Sequence, residues 1–172
     1  MKTSEFVEKF LPFARQTEAK SGISAVFILA QAAIESAWGR VAPGNMFFGV
    51  KDTDGINGNE QLLTTTEYSR RNDLKFPVIL SVSPVIMNGQ RYFKYRIKDY
   101  FRRYDSPEGS FTDHAAFFSR NPRYRKALEV RKDPERFAAE VARAGYATDP
   151  MYLDTLMKVI GMIRREIDKK EC

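Results

Sequence analysis

Cysteine is nearly absent from this chain, whose 172 residues include a single one, Cys172, at the last position. No intramolecular disulfide is therefore possible, and a cysteine-based metal cluster is excluded. Histidine is equally scarce, because His114 is the only one. Since no cluster of metal ligands is recognisable in the sequence, we expect no metal site.

A long apolar run is also missing. The longest, residues 23–34, is interrupted by Ser24 and Gln31 and is shorter than the roughly 20 residues that cross a bilayer. Residues 1–10 alternate charged and apolar side chains and lack the apolar core and small-residue cleavage site of a signal peptide. We therefore expect no stable membrane insertion, and the sequence indicates no export route.

The composition that is present suits one folded domain. Hydrophobic residues make up 43% of the chain, enough for one sizeable core, so we expect a single domain over residues 1–172 and a monomer. The net charge of +6 favours an anionic partner such as nucleic acid, anionic lipid or bacterial cell wall. An ordinary solvated surface explains the same charge equally well, so the net charge alone does not identify a binding partner.

Apolar residues with helical spacing predict two helices at the N-terminus. The first is expected between a cap at Ser4 and a stop at Gly22, and the second between Ser24 and Ala37. The second has almost no polar face, which is typical of a central, buried helix.

The middle of the chain is rich in strand signals. Residues 62–68, 78–80, 85–87 and 91–98 are β-prone, and Asn88-Gly89 is a strong hairpin signal. Helical signals return at residues 110–118, 122–130, 134–143 and 150–168. This order predicts a mainly helical α+β protein, with a small antiparallel sheet inserted between the second helix and the C-terminal helices.

Glu35 is the strongest candidate for chemistry. It lies at the end of the most apolar helix, where the helix dipole and partial desolvation both raise the pKa of a carboxyl group. A carboxylic acid of this kind stays protonated near neutral pH and can act as a general acid. The alternative is a solvated residue in the last helical turn.

Two neighbours of Glu35 suggest a sugar-binding patch. Gln31 lies one turn earlier on the same face and Trp38 follows closely, although Trp38 suits core packing equally well. A glycosidase usually needs a second carboxylate, and Glu67 on the first β segment is the best candidate by position. Three alternatives remain open, namely Asp52, Asp54 and Asp149.

Several sequence blocks resemble the glucosaminidase family, glycoside hydrolase family 73, which is typified by the flagellar rod-associated peptidoglycan hydrolase. These blocks are residues 29–39, 42–51, 65–68, 101–107, 110–114, 121–124 and 144–150, and they follow the family's order. The segment between Arg70 and Lys98 is longer than the family's usual return strand and contains two prolines. That departure puts the placement of Glu67 in question.

The resemblance implies a lysozyme-like helical lobe, at about residues 1–50 and 100–172, and a β-lobe at about 60–99. It implies hydrolysis of the β-1,4 bond between N-acetylglucosamine and N-acetylmuramic acid at the bacterial cell wall, without a cofactor. By motif, Glu35 is the general acid, Glu67 the second carboxylate and Tyr146 a catalytic tyrosine beside the reacting sugar. Residues expected to bind substrate are Gln31, Trp38, Asn45, Phe48 and Tyr124.

Three other functions compete with this one. A lytic transglycosylase or a muramidase also uses a glutamate at the end of a buried helix. A non-catalytic wall-binding module would bind glycan without cleaving it. The basic, aromatic run at residues 91–98 also suits a nucleic-acid binder, but no nucleic-acid-binding motif accompanies it, so we expect no nucleic-acid partner. The sequence does not separate phage lysis from secretion-associated or growth-related wall remodelling.

Overall fold

Six α-helices and a three-stranded antiparallel sheet make up residues 1–171, the part of the chain that this computed structural model describes. The helices are α1 (Thr3–Ser21), α2 (Ala25–Glu35), α3 (Pro107–Arg120), α4 (Arg125–Leu128), α5 (Pro134–Arg143) and α6 (Tyr152–Glu171). The strands are β1 (Glu60–Ser69), β2 (Val78–Met87) and β3 (Gln90–Arg102), all between α2 and α3. The predicted α+β class, with a sheet inserted after the second helix, is confirmed.

The chain divides into two compact units. The helical unit consists of Met1–Phe48 together with Tyr104–Cys172, and the sheet unit consists of Gly49–Arg103. The sheet unit thus begins before and ends after the expected limits of 60 and 99, because the loop ahead of β1 belongs to it and β3 continues to Arg102.

The N-terminal helices form because each carries a continuous apolar surface. In α1 the buried side chains include Phe6, Phe10 and Ala14, spaced by one helical turn, and the helix ends at Gly22 in a left-handed conformation with φ 74°. The helix begins before the expected cap at Ser4, because Lys2 occupies the N-cap position. Among the helices of residues 1–171, none has both the length and the apolar character needed to cross a bilayer.

Helix α2 is shorter than predicted. It begins after Ser24 as expected but ends at Glu35 rather than Ala37. The reason is local backbone geometry, since Ala37 and Trp38 both adopt left-handed conformations, with φ of 50° and 60°, that no α-helix accommodates. Glu35 is therefore the last helical residue.

The sheet has the order β1-β3-β2, so β3 is central and β2 lies at an edge. The predicted hairpin is confirmed, because Asn88 and Gly89 connect β2 to β3 with positive φ of 50° and 72°. The two short runs expected at 78–80 and 85–87 form one strand, since the edge position tolerates Pro84 between them.

The C-terminal helices follow the predicted order with altered boundaries. Helix α3 begins at Pro107 rather than residue 110, because the side chain of Ser106 caps it by accepting a hydrogen bond from the Gly109 backbone N–H. The helix expected at 122–130 is divided into a short 3-10 helix, Pro122–Tyr124, and α4. The last helix begins at Tyr152 rather than at residue 150 and extends to Glu171.

Candidate active site

Glu35 owes its position to the buried helix that it ends. Seven consecutive residues of α2, Phe27–Ala33, are buried, whereas Glu35 itself reaches the surface. The chain turns back directly after it, because the Trp38 backbone N–H donates to the Ala33 carbonyl at 2.7 Å. The Ser36 hydroxyl donates to the Ala32 carbonyl at 2.5 Å and secures the same turn. A carboxyl group is thus held at the end of a rigid, apolar element.

The carboxyl group of Glu35 is partly desolvated although the residue reaches the surface. Desolvation by the surrounding protein raises its pKa above the ordinary value of 4.5. A raised pKa keeps the proton on the carboxyl group at higher pH than on a fully solvated glutamate. The group can therefore donate a proton under conditions in which most glutamates are ionised.

A buried polar network lies one turn earlier on α2. The Gln31 side chain is completely buried, and its Nε2 donates to the Tyr152 hydroxyl at 2.8 Å. Its Oε1 lies 2.9 Å from His114 Nε2, and the Tyr146 hydroxyl lies 3.4 Å from the same nitrogen. Four side chains from α2, α3, α6 and the α5–α6 loop thus share one hydrogen-bonded cluster.

The two tyrosines of this cluster lie close to Glu35. Burial raises the pKa of both the Tyr146 and Tyr152 hydroxyls, and the negative charge of Glu35 contributes to each rise. The two phenol rings are 5.6 Å apart. Both hydroxyls therefore remain protonated at every pH at which an enzyme is normally assayed. Each can act only as a neutral hydrogen-bonding group.

Of the other predicted substrate-binding residues, Phe48 and Tyr124 are packed into the interior. Phe48 is 5% exposed and stacks on the His114 ring with centroids 3.7 Å apart. Tyr124 is 2% exposed and packs edge to face against Phe118. Like Gln31, these side chains are buried and are not accessible at the surface.

Trp38 and Asn45 are both partly exposed. The Trp38 ring meets Phe6 edge to face at 5.5 Å. Asn45 has a left-handed backbone with φ 57°, and its Nδ2 donates to the Tyr104 carbonyl at 2.9 Å. Both side chains therefore have exposed atoms that a ligand could contact.

In the sheet unit, Glu67 lies on β1 opposite Tyr95 of β3. Its Oε1 lies 2.9 Å from Lys51 Nζ, which is also 2.9 Å from Asp99 Oδ2. Partial desolvation acts to lower the pKa of Lys51, but its hydrogen bonds with Glu67 and Asp99 raise the pKa overall. Lys51 therefore remains a cation that holds two carboxylates together.

The segment after β1 covers this face of the sheet. Tyr95 is completely buried, and its hydroxyl donates to the Arg71 carbonyl at 2.7 Å. The Phe76 ring lies 5.5 Å from Tyr95 and 5.9 Å from Lys51 Nζ. The long connection that made the placement of Glu67 uncertain therefore packs within the same unit as the Glu67–Lys51–Asp99 group.

The three alternative carboxylates have other surroundings. The Asp52 side chain is only 3% exposed and lies 3.8 Å from Arg102. Asp54 accepts hydrogen bonds from Arg102 and Asn57. Asp149 accepts from the Met151 backbone N–H at the start of the last helix. Each is engaged in local structure.

Sequence reasoning did not assign roles to His114, Tyr152 and Lys51. His114 and Tyr152 are 83 and 121 residues from Gln31 in sequence, so no local pattern relates them. The available signals were the uniqueness of His114 and the position of Lys51 inside a family-like block.

The fold is that of a glycoside hydrolase. The chain resembles the structure of a C-terminally truncated glycoside hydrolase domain from Salmonella typhimurium FlgJ, with a TM-score of 0.70 and 32% identity, covering 95% of this chain and 99% of that one. Residues 11–165 match the glucosaminidase family model, described as mannosyl-glycoprotein endo-β-N-acetylglucosaminidase. The chain belongs to the glucosaminidase family.

Two relatives have names that bear on substrate. The peptidoglycan hydrolase FlgJ of Pseudomonas aeruginosa is 33% identical over 155 residues, which cover 86% of this chain and 34% of that protein. A probable N-acetylmuramidase of Lactococcus lactis subsp. lactis is 29% identical over 168 residues, covering 92% of this chain and 33% of that protein. The chain thus spans about a third of the length of these two relatives.

Proposed function

We propose that this chain is a peptidoglycan hydrolase that cleaves the β-1,4 bond between N-acetylglucosamine and N-acetylmuramic acid at the bacterial cell wall. Family membership and the names of the FlgJ relatives support the substrate class. The observation that carries the chemistry is the raised pKa of Glu35 at the end of a buried helix.

In this mechanism Glu35 donates its proton to the glycosidic oxygen as the bond to the anomeric carbon of N-acetylglucosamine breaks. The 4-hydroxyl of N-acetylmuramic acid leaves, and positive charge develops on the N-acetylglucosamine ring. Glu67 stabilises that charge or activates water, and the acetamido group of the substrate is the alternative partner in glycosidases of N-acetyl sugars. Tyr146 donates a hydrogen bond near the reacting sugar.

The exposure of the predicted binding residues divides them into two roles. Trp38 and Asn45 contact the glycan, because both are partly exposed. Gln31, Phe48 and Tyr124 support the site from the interior, because each is buried.

A muramidase is the second candidate, and the name of the Lactococcus lactis relative favours it. The two activities cut alternate bonds of the same glycan strand, so loss of turbidity in a peptidoglycan suspension does not separate them. A lytic transglycosylase would cut the muramidase bond but leave an anhydro end.

Product analysis tests the bond. Purified peptidoglycan is digested, new reducing ends are reduced with borohydride, and the alditols are identified by mass spectrometry after acid hydrolysis. Glucosaminitol is the expected product. Muramicitol would establish the muramidase, and an anhydro-muramic end would establish the transglycosylase.

Two variants control the digestion. Glu35→Gln should release no ends, whereas Glu129→Gln, which alters an exposed residue beyond α4, should match wild type. Wild-type protein that sediments with peptidoglycan but releases no ends would be a binding module and would overturn the proposed hydrolase.

A further inference from the structure

His114 is held in one plane by the aromatic rings around it. Its imidazole stacks on Phe48 with centroids 3.7 Å apart and an interplanar angle of 11°, and it is also parallel to Phe117 at 5.9 Å. Phe118 meets the ring edge to face at 5.0 Å. Because two parallel rings and one perpendicular ring surround it, the direction in which His114 Nε2 points is set by packing.

The hydrogen bonds of Gln31 determine which nitrogen of His114 carries the proton. Gln31 Nε2 donates to Tyr152, so the atom that faces His114 is the carbonyl oxygen Oε1. A carbonyl oxygen only accepts. His114 Nε2 must therefore carry a hydrogen and donate it to Gln31 Oε1 across 2.9 Å.

This assignment also orients Tyr146. Its hydroxyl oxygen lies 3.4 Å from the same Nε2–H group, which has no lone pair to accept with. The Tyr146 oxygen can therefore only accept from His114, and the proton of the Tyr146 hydroxyl does not point at this nitrogen. The Gln31 side chain also hydrogen-bonds to this hydroxyl, so His114 and Gln31 together fix its position.

The ring stays neutral in ordinary buffers. Desolvation lowers the pKa of His114 to about 3, against the opposing effect of the nearby Asp113 charge. A neutral imidazole with a donating Nε2 has its second nitrogen free of hydrogen, so one tautomer persists throughout the pH range of an assay.

We propose that His114 is a positioning residue which, as the neutral Nε2–H tautomer, holds the Tyr146 hydroxyl oxygen in place beside the reacting glycan. The inference rests on the proposed function, in which Tyr146 faces the substrate. His114 takes no part in proton transfer itself.

A spectrum of the only histidine tests the tautomer directly. In long-range ¹H–¹⁵N correlation of the ¹⁵N-labelled protein, His114 should show the Nε2–H pattern, unchanged between pH 5 and pH 8. Tyr146→Phe should shift the Nε2 resonance, because it removes the neighbouring oxygen. An Nδ1–H pattern, titration in this range, or no response to Tyr146→Phe would overturn the proposal.

Kinetics on soluble glycan fragments of peptidoglycan test the role. His114→Phe keeps the ring stack but removes the N–H, and kcat should fall about tenfold, the effect of one hydrogen bond, with KM little changed. His114→Gln places an amide N–H near the same position and should recover part of the loss. An unchanged kcat in His114→Phe would overturn the proposal.

A double-mutant cycle distinguishes positioning from general damage to the fold. If His114 acts through Tyr146, then His114→Phe should have little further effect in a Tyr146→Phe background. An equal loss in both backgrounds would show that His114 acts independently of Tyr146. If wild-type protein hydrolyses no glycan, the proposed function fails, whereas the NMR spectra still decide the His114–Tyr146 arrangement.

Discussion

Gln31 and Glu35 lie one helical turn apart on the same helix, yet Gln31 is completely buried and Glu35 reaches the surface. The buried amide is occupied on both sides, by Tyr152 and by His114. Helix α2 therefore passes from a satisfied polar cluster to a desolvated carboxyl group within four residues. This arrangement places the tyrosines beside the group that is proposed to donate the proton.

Glu35→Gln should abolish nearly all hydrolysis while the protein still folds. The amide has almost the same shape as the acid but cannot donate a proton to a leaving group, and general acid catalysis contributes about 10²–10⁴ in rate. The rate of reducing-end release measures the effect. A variant with half the wild-type rate would remove Glu35 from the mechanism.

The same substitution should stabilise the protein at neutral and alkaline pH. The folded state raises the pKa of Glu35 above 4.5, so the stability that comes from the protonated form is present below pH 4.5 and is lost as pH rises through the raised pKa. Glutamine cannot ionise. Its advantage in Tm over wild type should therefore be larger at pH 8 than at pH 4, and an equal difference at both pH values would contradict this account.

Glu67→Gln should reduce activity substantially, but less than Glu35→Gln, because the acetamido group of the substrate can partly replace a missing carboxylate. The rate should be measured together with the anomeric configuration of the first product, followed by time-resolved NMR. Full activity in this variant would exclude Glu67 as the second catalytic group, whatever the configuration.

Lys51→Met should lower activity. Without the shared ammonium group, the carboxylates of Glu67 and Asp99 repel each other, and Glu67 loses the ion pair that fixes its side chain. The rate of reducing-end release should therefore be lower than in wild type. Lys94→Met, which changes an exposed lysine on β3, is the matched control. A Lys51→Met rate equal to that of wild type would show that Lys51 does not influence the reaction.

Gly39→Ala should destabilise the turn that follows Glu35. Gly39 has φ 73°, and an added Cβ would lie 3.0 Å from Phe10 Cε2. We expect a loss of about 1–3 kcal/mol in the free energy of unfolding, measured with denaturant. Gly161→Ala, inside α6 and without such a contact, should instead stabilise by about 0.5–1 kcal/mol. Similar effects of the two substitutions would show that the turn is not strained.

The fold class was predictable because its signals are local. The apolar periodicity of α1 and α2 and the Asn88-Gly89 turn depend on a few neighbouring residues, and all three elements are present, although α1 begins earlier and α2 ends earlier than expected. The end of α2 was not predictable, because alanine and tryptophan are not residue types that favour the left-handed backbone found at Ala37 and Trp38.

The candidate site was only partly predictable. Glu35 was recognisable because a charged residue after an apolar run stands out. The hydrogen bonds of His114 and the ion pairs of Lys51 join residues far apart in sequence, so they become visible only in three dimensions. Burial likewise separates Gln31, Phe48 and Tyr124 from Trp38 and Asn45, and sequence does not report burial residue by residue.

The two ends of the sheet unit are hydrogen-bonded to each other, since the Arg102 N–H donates to the Val50 carbonyl at 2.8 Å and the Asp52 N–H donates to the Tyr100 carbonyl at 3.0 Å. For the helical unit, residues 49–103 are one long loop whose closure opposes folding by about 3–4 kcal/mol of chain entropy. A sheet unit that forms early closes this loop in advance. The helices after residue 103 then follow α2 almost directly along the effective chain, so their packing against α1 and α2 does not require a long loop to close. A longer or shorter hairpin does not change the distance between the two ends of the sheet unit.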